Sequence, residues 1–345
     1  MPREYHGLPH ALPPGQAIRR MAEGYQVSAA LRAMVVLDLA DHLAAGPRTI
    51  VELARATGTH MPSLARLLRA LVALDLCAYD DAGRVHLTPL GDTLRADAPD
   101  SLQAYARMST SPWFWRTLQE LPQAIRTGEP TFPHVYGVGF WDYLAAHPEE
   151  GAIVASALTA DSPARAAALL ATCDFSGVGT VVDVGGGQGQ LVASLVRAVP
   201  SLRGILADRP EVVAGAPEIL RAAGAIDRCE VVAVDFFVSA PAGGDAYVLS
   251  QIMCDWPDEE ALAILRVCHQ AMAPGARLWL LEIVVPPEDQ IDSNYTLFDL
   301  TELTLLGGKA RTAAEHQALL ETAGFTEVAV RPTEIAWSVI EAIRL

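Results

Sequence analysis

Apolar residues recur along this chain in two rhythms, and the change between them divides it. Over Ala17–Ala45 they fall at helical spacing (Leu31, Val35, Leu37, Leu43), and the run ends at Gly46-Pro47. Thr49 is placed to cap a short helix, Ile50–Thr57, which Gly58 stops. A further helix, Pro62–Leu74, carries Leu64, Leu67, Leu68 and Leu71. It leads into Cys77-Ala78-Tyr79, a turn at Asp80–Gly83 and the strand-like Arg84–Leu87. Helix, turn, helix and hairpin outline a winged helix.

Residues 100–172 are mostly helical and rich in rings: Trp113, Phe114, Trp115, Phe132, Tyr136, Phe140, Trp141 and Tyr143. This stretch reads as a linker packed on the next domain, as the wall of an apolar ligand pocket, or as both. From Gly177 onward strands and helices alternate. The strands are Thr180–Val184, Gly204–Asp208, Cys229–Phe236, Asp245–Met253, Arg277–Val284, Glu327–Val330 and Trp337–Ala342. The helices are Gln190–Val199, Glu211–Ala223, Asp258–Met272 and Ala313–Ala323. Such alternation predicts an α/β fold with a doubly wound, Rossmann-like sheet. The expected layout is a winged-helix-like domain over residues 1–100, a helical linker over 101–172 and the sheet domain over 173–345.

Charge narrows the choice of partners. Arg55, Arg66 and Arg69 in the helical pair invite a DNA-binding reading, but Asp80, Asp81, Asp92, Asp97 and Asp100 lie in the same region. The formal net charge of −16 also opposes contact with phosphate backbones. A protein–protein module is the better reading, with no nucleic acid partner. The most apolar stretch, Val27–Ala45, is interrupted by Arg32, Asp38 and Asp41, so it predicts a buried helix and no membrane span. The proline-rich start, MPREYHGLPHALPPG, lacks the apolar core of a signal peptide, and a cytoplasmic location is expected. Five scattered cysteines (Cys77, Cys173, Cys229, Cys254, Cys268) form no C-x-x-C pair and no zinc spacing. Reduced thiols and no metal follow.

The chemistry gathers after the first strand of the alternating half, in Asp183-Val184-Gly185-Gly186-Gly187-Gln188-Gly189. Glycines at a strand-to-helix turn permit positive φ and let a ligand approach the backbone. A dinucleotide fingerprint beginning at Gly185 needs a third glycine at position 190, which is Gln190; the glycines fall instead at 185, 187 and 189. Asp183, inside the strand, is a poor neighbour for a pyrophosphate and a suitable one for a cation. S-adenosylmethionine carries an ammonium, a sulfonium and no phosphate. Asp208, ending the second strand, is placed to accept from ribose hydroxyls. Asp235 and Phe236, ending the third, supply a carboxylate for the adenine amino group and a ring to cover its face.

With that loop, the pair Asp235-Phe236, the stretch Cys254-Asp255-Trp256-Pro257-Asp258 and the segment Gly307-Gly308-Lys309-Ala310-Arg311-Thr312, the chain resembles a known family. This is the class I S-adenosylmethionine-dependent small-molecule O-methyltransferases, of plant caffeate type and bacterial polyketide- or anthracycline-tailoring type. The resemblance covers nearly the whole chain. It implies an N-terminal winged-helix dimerisation domain, an intertwined homodimer and a small-molecule substrate. It places Asp183, Gly185, Gly187 and Gly189 around the methionine portion, Asp208 at the ribose, and Asp235 with Phe236 at the adenine. Ser250 falls where plant members have a Lys near the cofactor, and Ser162 is implied to approach the cofactor carboxylate.

The family pattern breaks at its base. Members that deprotonate a phenol read H-D-W where this chain has Cys254, and G-G-K-E-R-T where it has Ala310; Glu282 matches the acid that orients the His. A thiol titrates near 8.5, but the apolar neighbours Ile252, Met253 and Trp256, with the acids Asp255 and Glu282, would raise Cys254 further. Cys254 is therefore expected to line the pocket as a neutral thiol, with base catalysis by it the weaker alternative. Methyl transfer would proceed by proximity and desolvation. The acceptor is expected between the aromatic stretch (Met108, Trp113, Phe140, Trp141) and the segment Asn294–Leu306, with Phe298, Asp299 and Glu302 as candidate liners. His134, on a proline-rich loop, reads as a surface histidine. Two other readings stay open: a repurposed hydroxylase, decarboxylase or cyclase that holds the cofactor without donating its methyl, and a non-catalytic binding protein.

Overall fold

The computed structural model describes residues 12–99, 101–287 and 293–345. Most of the proline-rich start and the side chain of Asn294 lie outside the described residues. Among those described, no helix is long and apolar enough to cross a membrane. No group of His, Cys, Asp and Glu among them is placed to hold a metal ion, and all five cysteines are free. The chain sorts into two compact units, Met1–Arg116 with His147–Ala160 and Thr117–Ala146 with Asp161–Leu345. The helical stretch 101–172 is thus shared between them.

In the first unit, helices Pro14–Val36, Leu39–Leu43, Ile50–Thr57 and Met61–Ala73 precede a hairpin of β1 (Cys77–Tyr79) and β2 (Val85–Leu87). Met34, Leu39, Leu53, Leu68, Leu71 and Val85 are fully buried and form its core. The long helix expected over Ala17–Ala45 breaks at Leu37 and Asp38. Asp38 takes a left-handed φ of 50°, which a short polar side chain tolerates, and its carboxylate pairs with Arg107. Thr49 caps as expected: its hydroxyl accepts from the Glu52 N–H at 3.2 Å, and Glu52 accepts from the Thr49 N–H at 2.7 Å. On the first helix Ile18, Met21 and Tyr25 form an apolar stripe that stays exposed.

The second unit is built on seven strands. They are β3 (Thr180–Val184), β4 (Arg203–Asp208), β5 (Cys229–Ala233), β6 (Ala246–Ser250), β7 (Arg277–Glu282), β10 (Phe325–Pro332) and β11 (Ser338–Arg344). Their order is β10-β11-β7-β6-β3-β4-β5. Strands β3 to β7 run parallel, while β11 is antiparallel to β7 and β10 to β11. Two short strands, β8 (Val284–Val285) and β9 (Arg311–Thr312), pair outside the sheet. Neighbouring strand residues enter opposite layers. Val181, Val248 and Trp279 pack with Leu169, Leu191 and Leu220, whereas Val182, Tyr247 and Leu280 pack with Ile264, Leu265 and Leu320. Helices on both faces explain why these strands read as nearly unbroken apolar runs.

The expected helix Glu211–Ala223 is two helices, Pro210–Val213 and Ala216–Ala222, because Pro217 has no N–H to continue the ladder. Helix Ser293–Leu305 carried no clear apolar periodicity and was not expected as an element. From β3 the chain passes to β4 and β5 on one side and to β6 and β7 on the other. That reversal of order places a crevice at the carboxyl ends of β3 and β6.

Gly204 has no room for a side chain, since a Cβ there would lie 2.4 Å from Val192 Cγ2 and 3.0 Å from Cys229 Sγ. Gly204→Ala is expected to destabilise the second unit by about 1–3 kcal/mol, read as a lower urea midpoint. An unchanged midpoint would contradict this packing.

Candidate functional site

Three strand tips and one turn meet at the crevice. The turn after β3 holds positive φ at Gly185 (71°), Gly187 (61°) and Gly189 (88°), the last opening helix Gln190–Ala198. Asp208, at the end of β4, ties the turn down. One carboxylate oxygen accepts from the Gly187 N–H at 2.9 Å, the other from the Arg209 N–H at 2.7 Å. Burial raises its carboxyl above the usual range. A Cβ at Gly187 would meet nothing within 4 Å, so this backbone faces open space.

Asp183 is 1% exposed, and neither of its oxygens accepts a hydrogen bond of normal geometry among the described residues. Its carboxyl tucks under the turn, where a Cβ at Gly186 would lie 2.5 Å from Asp183 Cγ. Burial, and then the nearby Asp208, push it up to about 7. Across the crevice Ile252 and Phe236 close on Gly185: a Cβ there would come within 2.5 Å of Ile252 Cδ1 and 3.5 Å of Phe236 Cε1. Phe236 stands edge-on to Trp256 at 6.1 Å. Asp235 is exposed and accepts from the Phe237 N–H at 2.9 Å.

Arg165, which the sequence pattern did not single out, belongs to the same region. It is 6% exposed on helix Ser162–Thr172 and donates to Ser250 Oγ at 3.2 Å. Its guanidinium lies 5.2 Å from the centre of the Trp337 ring. The available signal was one charge on an otherwise apolar face, Ser-Pro-Ala-Arg-Ala-Ala-Ala-Leu-Leu. Ser162, buried, opens that helix one turn earlier.

Beyond Ser250 the chain turns sharply at Gln251 (φ 56°) into Ile252–Asp255. Glu282, 1% exposed at the end of β7, holds this turn by accepting the Ile252 and Met253 N–H groups, both at 2.9 Å. Burial pushes its carboxyl up to about 7. Cys254 is buried, with its thiol 3.6 Å from Asp255 Oδ1. Burial, then Glu282, Asp255 and Glu302, hold that thiol well above its ordinary value. Ala310 is buried too; its N–H donates to Asp299 Oδ1 at 2.7 Å.

The remaining candidates divide between the units. Trp113 belongs to the first, where its indole N–H donates to Glu150 at 2.9 Å, and Met108 is half-buried in the same unit. In the second, Phe140 packs edge-on against Phe132 at 5.2 Å and Trp141 at 5.0 Å. Phe298 is half-buried, Glu302 is buried and His134 is exposed.

A family model described as an O-methyltransferase domain matches residues 115–326, and an O-methyltransferase dimerisation domain matches residues 20–97. The chain belongs to the O-methyltransferase family. A phenazine O-methyltransferase of Lysobacter antibioticus is 36% identical over 332 residues, 96% of this chain and 97% of that relative. An O-methyltransferase from neocarzinostatin biosynthesis, solved with S-adenosylmethionine and 2-hydroxy-5-methyl naphthoic acid, superposes with a TM-score of 0.80 at 35% identity, covering 92% and 96% of the two chains. The aclacinomycin 10-hydroxylase of Streptomyces purpurascens is 34% identical over 299 residues, 86% of this chain and 80% of that relative. This O-methyltransferase family member is thus an S-adenosylmethionine-dependent methyltransferase, with S-adenosylmethionine as its cofactor.

A thiol held so far up stays neutral at pH 8, and Cys254, 4% exposed, offers almost no surface to react from. Cys254 is therefore expected to remain unalkylated by iodoacetamide at pH 8 in the folded protein and to react fully in denaturant, as read by mass spectrometry. Rapid alkylation of native Cys254 would contradict its burial.

Proposed function

We propose that this methyltransferase acts on a hydroxyl or amino group of a small aromatic secondary metabolite, with the cofactor held at the carboxyl ends of β3, β4 and β6. The orphaned Asp183 carboxylate beneath the glycine turn carries the reading. A buried carboxylate without a donor fits an ammonium and opposes a pyrophosphate. In this arrangement Gly185, Gly187 and Gly189 let the backbone approach the methionine portion. Arg165, Ser162 and Ser250 surround its carboxylate, Asp208 accepts from the ribose, and Asp235 with Phe236 receives the adenine. Phe298, Asp299 and Glu302, with Phe140 and Trp141, are the proposed acceptor contacts within the second unit, while Met108 and Trp113 belong to the first. The dimerisation-domain match and the exposed stripe Ile18, Met21, Tyr25 support a homodimer.

When bound, the cofactor supplies a methyl already activated by positive charge. Alignment of that methyl with the acceptor can account for roughly 7–11 kcal/mol of the barrier. Cys254, buried and neutral, shapes the pocket and takes no proton. Incubation with S-adenosylmethionine and a panel of hydroxynaphthoates and aminohydroxybenzoates, read by S-adenosylhomocysteine release, tests the activity. Release in step with a methylated product supports the proposal, and none from any member contradicts it. Product without that release would favour a hydroxylase-like reaction, a reading encouraged by the aclacinomycin 10-hydroxylase among the relatives and by Cys254 and Ala310 here.

Cys254→Ala is expected to lower turnover less than tenfold; a loss above a thousandfold, the scale of a lost general base, would contradict a neutral thiol. Asp183, with its carboxyl at about 7, loses its charge as pH falls through neutrality. Affinity for S-adenosylmethionine and S-adenosylhomocysteine alike should then fall between pH 7.5 and 5.5, since both carry the ammonium. Asp183→Asn should weaken both at least tenfold and flatten that dependence in calorimetric titrations. Unchanged binding would contradict the placement of the ammonium.

A further inference from the structure

One group of ionisable side chains in the second unit has no part in holding the nucleoside. Glu302 lies on helix Ser293–Leu305, 7% exposed, and its Oε2 accepts no hydrogen bond among the described residues. Glu282 Oε2 is orphaned in the same sense, although Glu282 Oε1 is fully engaged. The backbone locks the two segments together. The Leu306 and Gly308 N–H groups donate to the Glu302 carbonyl at 2.9 and 3.2 Å, and the Lys309 N–H donates to the Cys254 carbonyl at 2.9 Å. Gly308 makes this approach possible, since a Cβ there would lie 2.1 Å from the Cys254 carbonyl oxygen. Arg311, fully buried, clamps the far side by donating to the Met253 and Trp256 carbonyls and to Asp258.

The result is a set of acids around the Cys254 thiol, with Glu282 and Glu302 buried and Asp255 and Asp299 half-buried. Asp255, Glu282 and Asp299 face Glu302, and its carboxyl is raised well above the usual range by burial first and those three acids next. Asp255 is raised likewise, by burial and by Glu282. The positive groups within reach are Arg311, which acts on Glu282, and Arg165, which interacts with Glu282 and Cys254. Carboxyls crowded in this way hold protons jointly, and a nearby positive charge displaces one of them. The set adjoins the glycine turn, because Ile252, two residues before Cys254, is the side chain that closes on Gly185.

We propose that Glu302, acting with Asp255 and Glu282, is the proton acceptor of the methyl-transfer step and takes the place of the missing histidine. The proposal rests on the cofactor lying against the glycine turn. With the sulfonium bound, Glu302 is held as a carboxylate by the adjacent charge. In the step, the acceptor oxygen or nitrogen forms a bond to the methyl carbon, the S–CH₃ bond breaks and sulfur keeps its electron pair. As the positive charge disappears, the carboxylate of Glu302 receives the proton the acceptor loses, and releases it to solvent when the next cofactor binds. Ala310, where the family carries a Glu, leaves Glu302 to bring a carboxyl to this pocket from the neighbouring helix.

The test needs no substrate. S-adenosylmethionine and S-adenosylhomocysteine share the ammonium that faces Asp183 and differ in the sulfonium, so their affinity ratio isolates the proposed linkage. Titration calorimetry between pH 5.5 and 7.5 is expected to show the ratio rising in favour of the methylated form, by up to about tenfold per pH unit for one linked proton. Paired titrations in phosphate and Tris should show more protons released with the methylated form than with S-adenosylhomocysteine, whose release comes from Asp183 alone. Glu302→Gln should flatten the ratio while both nucleosides still bind. Glu302→Asp, which keeps the charge should the first variant not fold, should shift the rise without removing it. A flat ratio in the unaltered protein, or a rise that persists in Glu302→Gln, would overturn the proposal. Failure of both nucleosides to bind at every pH would instead refute the placement of the cofactor.

Discussion

Asp183 stands between Val182 and Val184 in the central strand, where the alternation of side chains turns it into a packed layer rather than into water. A carboxylate buried without a donor is costly, and such a group raises its own pKa or meets a positive partner. Several features of the second unit answer to that constraint. Gly186 leaves the space into which the carboxyl folds. Asp208 ties the turn above it at Gly187, and Arg165 is held nearby by Ser250 and Trp337. In the proposed arrangement a cationic nucleoside meets this carboxylate, and its ammonium would offset the folding cost of the strand tip on binding. Such coupling makes a site selective for charge as well as shape.

A second departure from ordinary packing lies on the other side of the glycine turn. Two buried acids, the half-buried Asp255 and a thiol gather around the Ile252–Asp255 turn, with Arg311 and Arg165 as cations nearby. If Glu302 accepts the proton as proposed, the pocket keeps a base without the histidine, in a group that the cofactor's charge would ionise. The relatives include both a phenazine O-methyltransferase and an aclacinomycin 10-hydroxylase, so this fold hosts more than one reaction among them.

Much of this architecture was legible in the sequence because strand periodicity and glycine spacing act locally. Thr49 and Gly58 bounded their helix as read, β3 ran from Thr180 to Val184, and the positive φ values fell at the three glycines singled out. Local signals failed where long-range contacts decide. Asp38 at the break pairs with Arg107, far along the chain, and helix Ser293–Leu305 has no one-sided apolar face to announce it. Gly186, which lies outside the 185, 187 and 189 spacing, is required by the Asp183 carboxyl folded beneath it, a contact no local pattern reveals. Arg165 and the company of Glu302 were illegible for the same reason: a buried charge is recognised by what surrounds it, and those neighbours come from β6, β7 and the loop after β6.

The most direct check of this account is a crystal structure with S-adenosylhomocysteine. The account predicts its amino group within hydrogen-bonding distance of Asp183, its ribose on Asp208 and its sulfur on the side of the crevice that leads to Cys254 and Glu302. A nucleoside bound elsewhere, or one seated with Asp183 still lacking a donor, would contradict it.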